Sequence, residues 1–172
     1  MTDAPRVEAI DRPLMPDGYG VPETAAGLLT WPEVEAELVA SKHYWLTTVR
    51  ADGRPHVVPR WGVWVDGRFW YDGAPTTVHA RNARAHPAVT LNLENGARAV
   101  IVEGESHATR ADADGLGARL AEAFGKYHDQ GYSPEADSWA GDDGGGLRVI
   151  TPSRALAWFT FPDSVTRFRF SS

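Results

Sequence analysis

The sequence predicts a mainly β protein of the α+β class, a barrel or closed sheet of antiparallel strands with about three helices set among them. Three observations lead there. Segments rich in β-branched and aromatic residues recur from residue 43 onward. Two-residue turn signals, Asp52-Gly53, Asp66-Gly67 and Asn95-Gly96, separate them. Helical signals are confined to three places, so the helices decorate the strands rather than alternate with them.

Taken in order, residues 1–28 hold Pro5, Pro13, Pro16 and Pro22 and read as an extended N-terminal arm with little structure of its own. Residues 29–172 then form a single domain. Thr30 opens the first helix. Its side chain can accept from the N3 amide while Glu33 reaches back, which makes a capping box. Val34, Leu38 and Val39 form the apolar stripe, and the helix fades near Ser41.

Strands follow at 43–50 (HYWLTTVR), 55–65 (PHVVPRWGVWV, bent at Pro59 or Gly62) and 68–72. A short helix begins at Thr76 or Thr77 and stops before His86-Pro87. The strands 88–94 (AVTLNLE) and 98–110 (RAVIVEGESHATR) come next. A helix over 112–128 carries Leu116, Leu120, Ala123, Phe124 and Tyr127 at helical spacing. Residues 129–146 read as a loop with a mobile, acidic, Gly-rich end. Three strands, 147–151, 155–161 and 165–170, close the chain.

Composition excludes several functions. With 172 residues and 42% hydrophobic content the chain builds one real core. The net charge of -6 argues against a general nucleic-acid surface. Absence of cysteine removes disulfides, thiolate metal sites and thiol catalysis. The six histidines show no metal-ligand spacing, so no metal is expected, and His43, His56 and His86 read as surface or capping residues. No apolar run reaches the length of a membrane span, and the charged, Pro-containing start is unlike a signal peptide. A cytoplasmic protein is expected.

The stretch 71-YDGAPTTVHARNARAHP-87 carries the chemistry. A strand end, a tight turn and a helix start present free N–H groups and the positive end of a helix dipole, which suits a phosphate. Thr76, Thr77 and His79 are candidate phosphate contacts there. Arg60, a charge within an apolar strand, is a candidate ligand contact, and Trp61 a candidate ring-stacking wall. Trp64 and Trp70 read as core.

The segments 48-TVRADGRPH-56, 61-WGVWVDG-67 and 80-ARNARAHPAV-89 together resemble the flavin- and deazaflavin-binding split β-barrel superfamily, which includes pyridoxamine 5′-phosphate oxidase. The later 101-IVEGE-105 and 166-TRFRF-170 fit one bacterial branch. The resemblance implies a split β-barrel of about six to eight strands and a homodimer with its cofactor, FMN or coenzyme F-420, in the groove between subunits. It places Val58, Pro59, Arg60, Trp61 and Gly62 along the ring, Tyr71, Asp72 and Gly73 along the polyol, and Thr76, Thr77, Val78, His79, Arg81 and Asn82 at the phosphate. The implied activity is hydride transfer between reduced coenzyme F-420 or FMN and a small-molecule substrate. The deazaflavin is favoured by the ARN-x-R pattern and by the high-GC bias of 15 Arg against 2 Lys.

One departure stands out. Relatives carry basic residues at the helix start, where this chain has Thr77, Val78 and His79. A protonated His79, Arg60 or Arg81 would have to supply the charge. The alternative reading is a non-redox barrel that binds haem, a bilin or a small metabolite, or that has lost its cofactor.

Overall fold

The structure is a computed structural model and describes residues 4–171. It is one antiparallel sheet of nine strands that curls back on itself. The elements run β1 (Val7–Asp11), α1 (Trp31–Ala40), β2 (Tyr44–Val49), β3 (Pro55–Arg60), β4 (Val63–Val65), β5 (Arg68–Tyr71), α2 (Val78–Ala85), β6 (Ala88–Asn92), β7 (Ala99–Ala108), α3 (Ala118–Phe124), β8 (Arg148–Trp158) and β9 (Thr166–Phe170). The hydrogen-bonded path is β1-β9-β8-β7-β6-β2-β3. From β3 the chain passes through Trp61-Gly62 into β4, β4 pairs with β5, and β5 returns to β8. The barrel therefore closes through a bent strand. β8 is the fork: its first residues pair with β5 and its last with β9. This is the split barrel.

The capping residues act as the sequence suggested. The Glu33 carboxylate accepts from both the amide (2.8 Å) and the hydroxyl (2.7 Å) of Thr30. Val34 and Leu38 are buried, but Val39 is 51% exposed, so the helix stripe is narrower than expected. At Asp66-Gly67 both residues take positive φ (54° and 69°), the conformation that a two-residue hairpin needs.

Four expectations are corrected. The N-terminal arm is not without structure, because Val7–Asp11 pairs with β9 and ties the arm to the sheet edge. The strand expected over 55–65 breaks at Trp61-Gly62. The helix expected over 112–128 is α-helical only at Ala118–Phe124, between a π-helical turn (Ala113–Gly117) and a 3-10 segment (Gly125–Gln130). Gly115, Gly117 and Gly125 interrupt the run, each with a low helix propensity. The strands expected at 147–151 and 155–161 are one strand, β8, which absorbs an extra residue near Ser153 as a bulge against Glu103 and Gly104.

The apolar residues form two cores. The barrel core holds Tyr44, Leu46, Phe69, Leu91, Val102 and Phe168, all fully buried. The second lies outside the barrel wall, where Val63, Trp70, Phe124, Tyr127, Trp139 and Leu147 gather between β4, β5 and α3. Burying a large apolar side chain contributes roughly 1.5–3 kcal/mol, so this second cluster is a substantial part of the fold.

Candidate functional site

Strand periodicity splits the ring-lining candidates between two faces. Val58 and Arg60 are half-buried and point the way His56 does, toward the side where α2 packs. Val57 (51% exposed), Pro59 and Trp61 (36%) point outward. Gly62 is buried, and a Cβ there would lie 2.2 Å from the Phe69 ring and 2.7 Å from the Trp70 carbonyl oxygen. Only glycine fits the break.

On the inner side Tyr71 is the centre of a cationic cluster. Its ring is 1% exposed and its hydroxyl lies 2.9 Å from Ser106 Oγ. The Arg60 guanidinium stands 5.6 Å above the ring, and His79 lies 6.1 Å from it, centroid to centroid. Arg148, on β8 directly opposite Tyr71, donates to Ser106 Oγ (3.1 Å) and to the Ser106 carbonyl (2.9 Å). Arg60 donates to the carbonyl of Asp72. Gly73, at φ +148°, makes room for that contact, since a Cβ there would meet the guanidinium at 3.0 Å.

Among the described residues no carboxylate forms an ion pair with this cluster, Arg60 and Arg148 included. Arg60 Nε and His56 Nδ1 are buried and have no hydrogen-bond partner. Buried donors and charges of this kind are costly unless something else pairs with them. The cluster therefore gathers positive charge and unpaired donors around Tyr71.

The helix start contributes less than expected. Thr77 caps α2, but its hydroxyl donates to the Ala74 carbonyl (2.9 Å) and lies 3.3 Å from His79 Nε2. Thr76 is exposed, and its carbonyl accepts from Arg81. Arg81 is thus an exposed brace across the turn. Asn82 tethers α2 to β2 through Thr48 Oγ1 (3.0 Å), while Val78 is half-buried at the first turn. Arg148 adds a second guanidinium to the cluster, and sequence reasoning missed it. The available signal was an arginine opening the otherwise apolar run 147-LRVI-150.

Asp72 is joined to the 129–146 loop. Its carboxylate accepts from Trp139 Nε1 (2.8 Å) and from the Tyr132 hydroxyl, both in that loop. Burial, reinforced by the Asp72 carboxylate, holds the Tyr132 hydroxyl protonated well above the usual tyrosine range. The loop is therefore pinned, with Trp139 1% exposed. Tyr132 in turn touches Trp61 (6.0 Å between ring centroids), and Trp61 stacks on Tyr127 at 5.2 Å and 21°.

His79 is held neutral. Burial, with Arg60, His56 and Arg148 adding repulsion, pushes its pKa from 6.5 down to about 4. Because the unfolded chain binds this proton more tightly, His79 contributes stability that is present above pH 6.5 and lost as pH falls toward 4. The loss is of order 3 kcal/mol. Urea unfolding of wild type and His79→Gln at pH 7 and pH 4.5 checks this, and the variant should lose less stability over that interval. Parallel losses would place the acid sensitivity elsewhere.

The pyridoxamine 5′-phosphate oxidase family profile matches residues 30–159. The chain belongs to that family. No curated protein matches the sequence. Among solved structures, the conserved hypothetical protein Rv2991 from Mycobacterium tuberculosis aligns at 23% identity and TM-score 0.61, covering 80% of this chain and 89% of that one. General stress protein 26 from Bacillus anthracis aligns at 15% identity and TM-score 0.55, covering 73% and 91%. The haem storage protein HutZ from Vibrio cholerae aligns at 20% identity and TM-score 0.52, covering 71% and 89%. At these identities the likeness is one of fold. The oxidase-family profile ends at 159, so it covers β3, β5, α2 and Arg148, all the elements of the cluster, and leaves β1 and β9 outside.

Proposed function

We propose that this member of the pyridoxamine 5′-phosphate oxidase family is an oxidoreductase that holds a phosphorylated flavin-type cofactor, FMN or coenzyme F-420, with its phosphate in the cluster around Tyr71. The observation that carries this reading is the pair of guanidiniums without a carboxylate partner, buried Arg148 and half-buried Arg60, whose Nε is itself buried and unpartnered. The cofactor supplies the hydride chemistry when bound. Arg60 and Arg148 would bind and orient the phosphate, with His56 and His79 as neighbouring donors. Pro59 and Trp61, backed by Tyr127 and Tyr132, offer an apolar surface that excludes water from one side.

The reading includes a second copy of the chain. Trp45 (37% exposed), Val49 (37%), Val57 and Trp61 leave an apolar outer face on β2 and β3. Beside it the sheet is hollowed into a concavity of about 580 Å³ lined by Thr47, Thr90, Gly104 and Pro152. A homodimer joined here would complete the groove. Among the described residues no helix is long and apolar enough to cross a membrane.

The test is a visible spectrum of the purified protein, then titration of FMN and of the deazaflavin followed by Trp fluorescence, with light scattering for the dimer. Saturable binding of either cofactor in the micromolar range is expected. A colourless protein that binds neither overturns the redox reading, and a haem-type spectrum on reconstitution would turn it to the binding-protein alternative.

A further inference from the structure

We propose that the cluster of His56, Arg60, His79 and Arg148 binds its oxyanion together with a proton, so that His79 becomes a charged ligand only when the anion is present. This rests on the phosphate site proposed above and goes beyond it, because it makes occupancy of that site depend on pH.

The geometry carries the inference. His79 is 6% exposed, and the groups packed against it on every side are basic or neutral. Strand β3 brings His56 and Arg60, β8 brings Arg148, β5 brings the Tyr71 ring, β7 brings Ser106 on the far side of that ring, and α2 itself brings the Thr77 hydroxyl. Arg81 and Arg84, also on α2, are exposed. No acid stands among them. His56 has a buried Nδ1 without a partner, so that ring is not committed to a protein acceptor.

Burial disfavours a proton on His79, and each positive neighbour adds to this. That is the cause of the depressed pKa of His79. An oxyanion reverses the sign of the nearest charge. An opposite charge within a few ångströms favours the protonated imidazole, and in a site shielded from water the effect is strong. Binding the anion and binding the proton must then help each other by the same factor, because coupling between two ligands is reciprocal. The neutral Thr77-Val78-His79 start of α2 acquires a meaning. The fixed charge of the missing basic residues is exchanged for two arginines and a conditional one.

Sulfate is the probe, since it stays a dianion from pH 5 to pH 8 and brings no titration of its own. Its affinity for the full chain is measured by calorimetry at pH 5.5, 6.5 and 7.5, each in two buffers of different protonation enthalpy. The expected result is an affinity that rises about tenfold for each pH unit lowered within this range, with uptake of about one proton. His79→Gln flattens this dependence, while the exposed-site control His128→Gln keeps it. The wild-type profile decides even if a variant fails to fold. Equal sulfate affinity at pH 5.5 and 7.5 overturns the proton coupling and leaves the phosphate site standing. No sulfate binding at any pH also overturns it, and the FMN and deazaflavin titrations then show whether the site itself falls.

Discussion

Asp72→Ala is expected to lower the stability of the protein by about 3 kcal/mol. The residue lies at the end of β5, where a sequence reading places it beside a cofactor. Its carboxylate instead accepts from Trp139 Nε1 and the Tyr132 hydroxyl, which belong to a segment sixty residues further along the chain. Truncation leaves two donors without an acceptor, and each such loss costs roughly 1–3 kcal/mol. The damage should spread, because Trp139 packs on Phe124 and Tyr132 on Trp61. Asp72→Asn keeps an acceptor oxygen and should show about half the loss. Urea unfolding reads both, with Trp fluorescence reporting release of Trp139. A loss below about 1 kcal/mol in Asp72→Ala would show that the carboxylate is not what holds the loop.

Arg148→Met should separate binding from folding. The guanidinium is buried and has no acid partner, so replacing it by an apolar side chain of similar length removes an uncompensated charge. Stability should be unchanged or rise. Tyr71 and Ser106 keep their mutual hydrogen bond. Cofactor affinity should fall, since a charge-assisted contact is worth about 1.5–3 kcal/mol, or roughly 10- to 150-fold in Kd. Arg148→Lys should not restore it fully, because an ammonium cannot hold Ser106 in two places and still face an anion. Unchanged FMN and deazaflavin affinity in Arg148→Met would remove Arg148 from the site and, with it, the charge balance on which the functional reading stands.

Much of the fold was legible because local signals agreed with the global arrangement. The Thr30-Glu33 capping box, the Asp66-Gly67 hairpin and the alternation in β6 all concern neighbours in sequence. The turn at Gly73 with the helix behind it was legible too. The rest depends on long-range pairing. Arg148 meets Tyr71 only because β5 and β8 lie side by side, and nothing in either strand alone announces that register. The loop at 129–146 misled for another reason. Its Asp and Gly content resembles a mobile tail, yet Tyr132 and Trp139 are large apolar rings that rarely stay in water. Those two residues outweighed the composition, and they were the signal to read. His79 was placed correctly at the helix start, but its protonation depends on the surrounding cations, which only the folded chain assembles.

The junction at Gly62 has a consequence for how the molecule comes apart. Between β3 and β4 the ladder is interrupted, and such a break would ordinarily be a hinge. Here the Tyr127 hydroxyl accepts from the Gly62 N–H (3.0 Å) and lies 2.8 Å from both the Gly62 and Lys42 carbonyl oxygens, sharing its single proton between them. One side chain from the segment after α3 thus closes the gap in the wall. The Gly62 amide cannot exchange its hydrogen with solvent unless Tyr127 withdraws, and Tyr127 cannot withdraw without loosening Phe124 and Trp61, which pack on it. Barrel and outer core are therefore coupled at their weakest point and should open as one cooperative unit rather than as a stable barrel with a detachable flank.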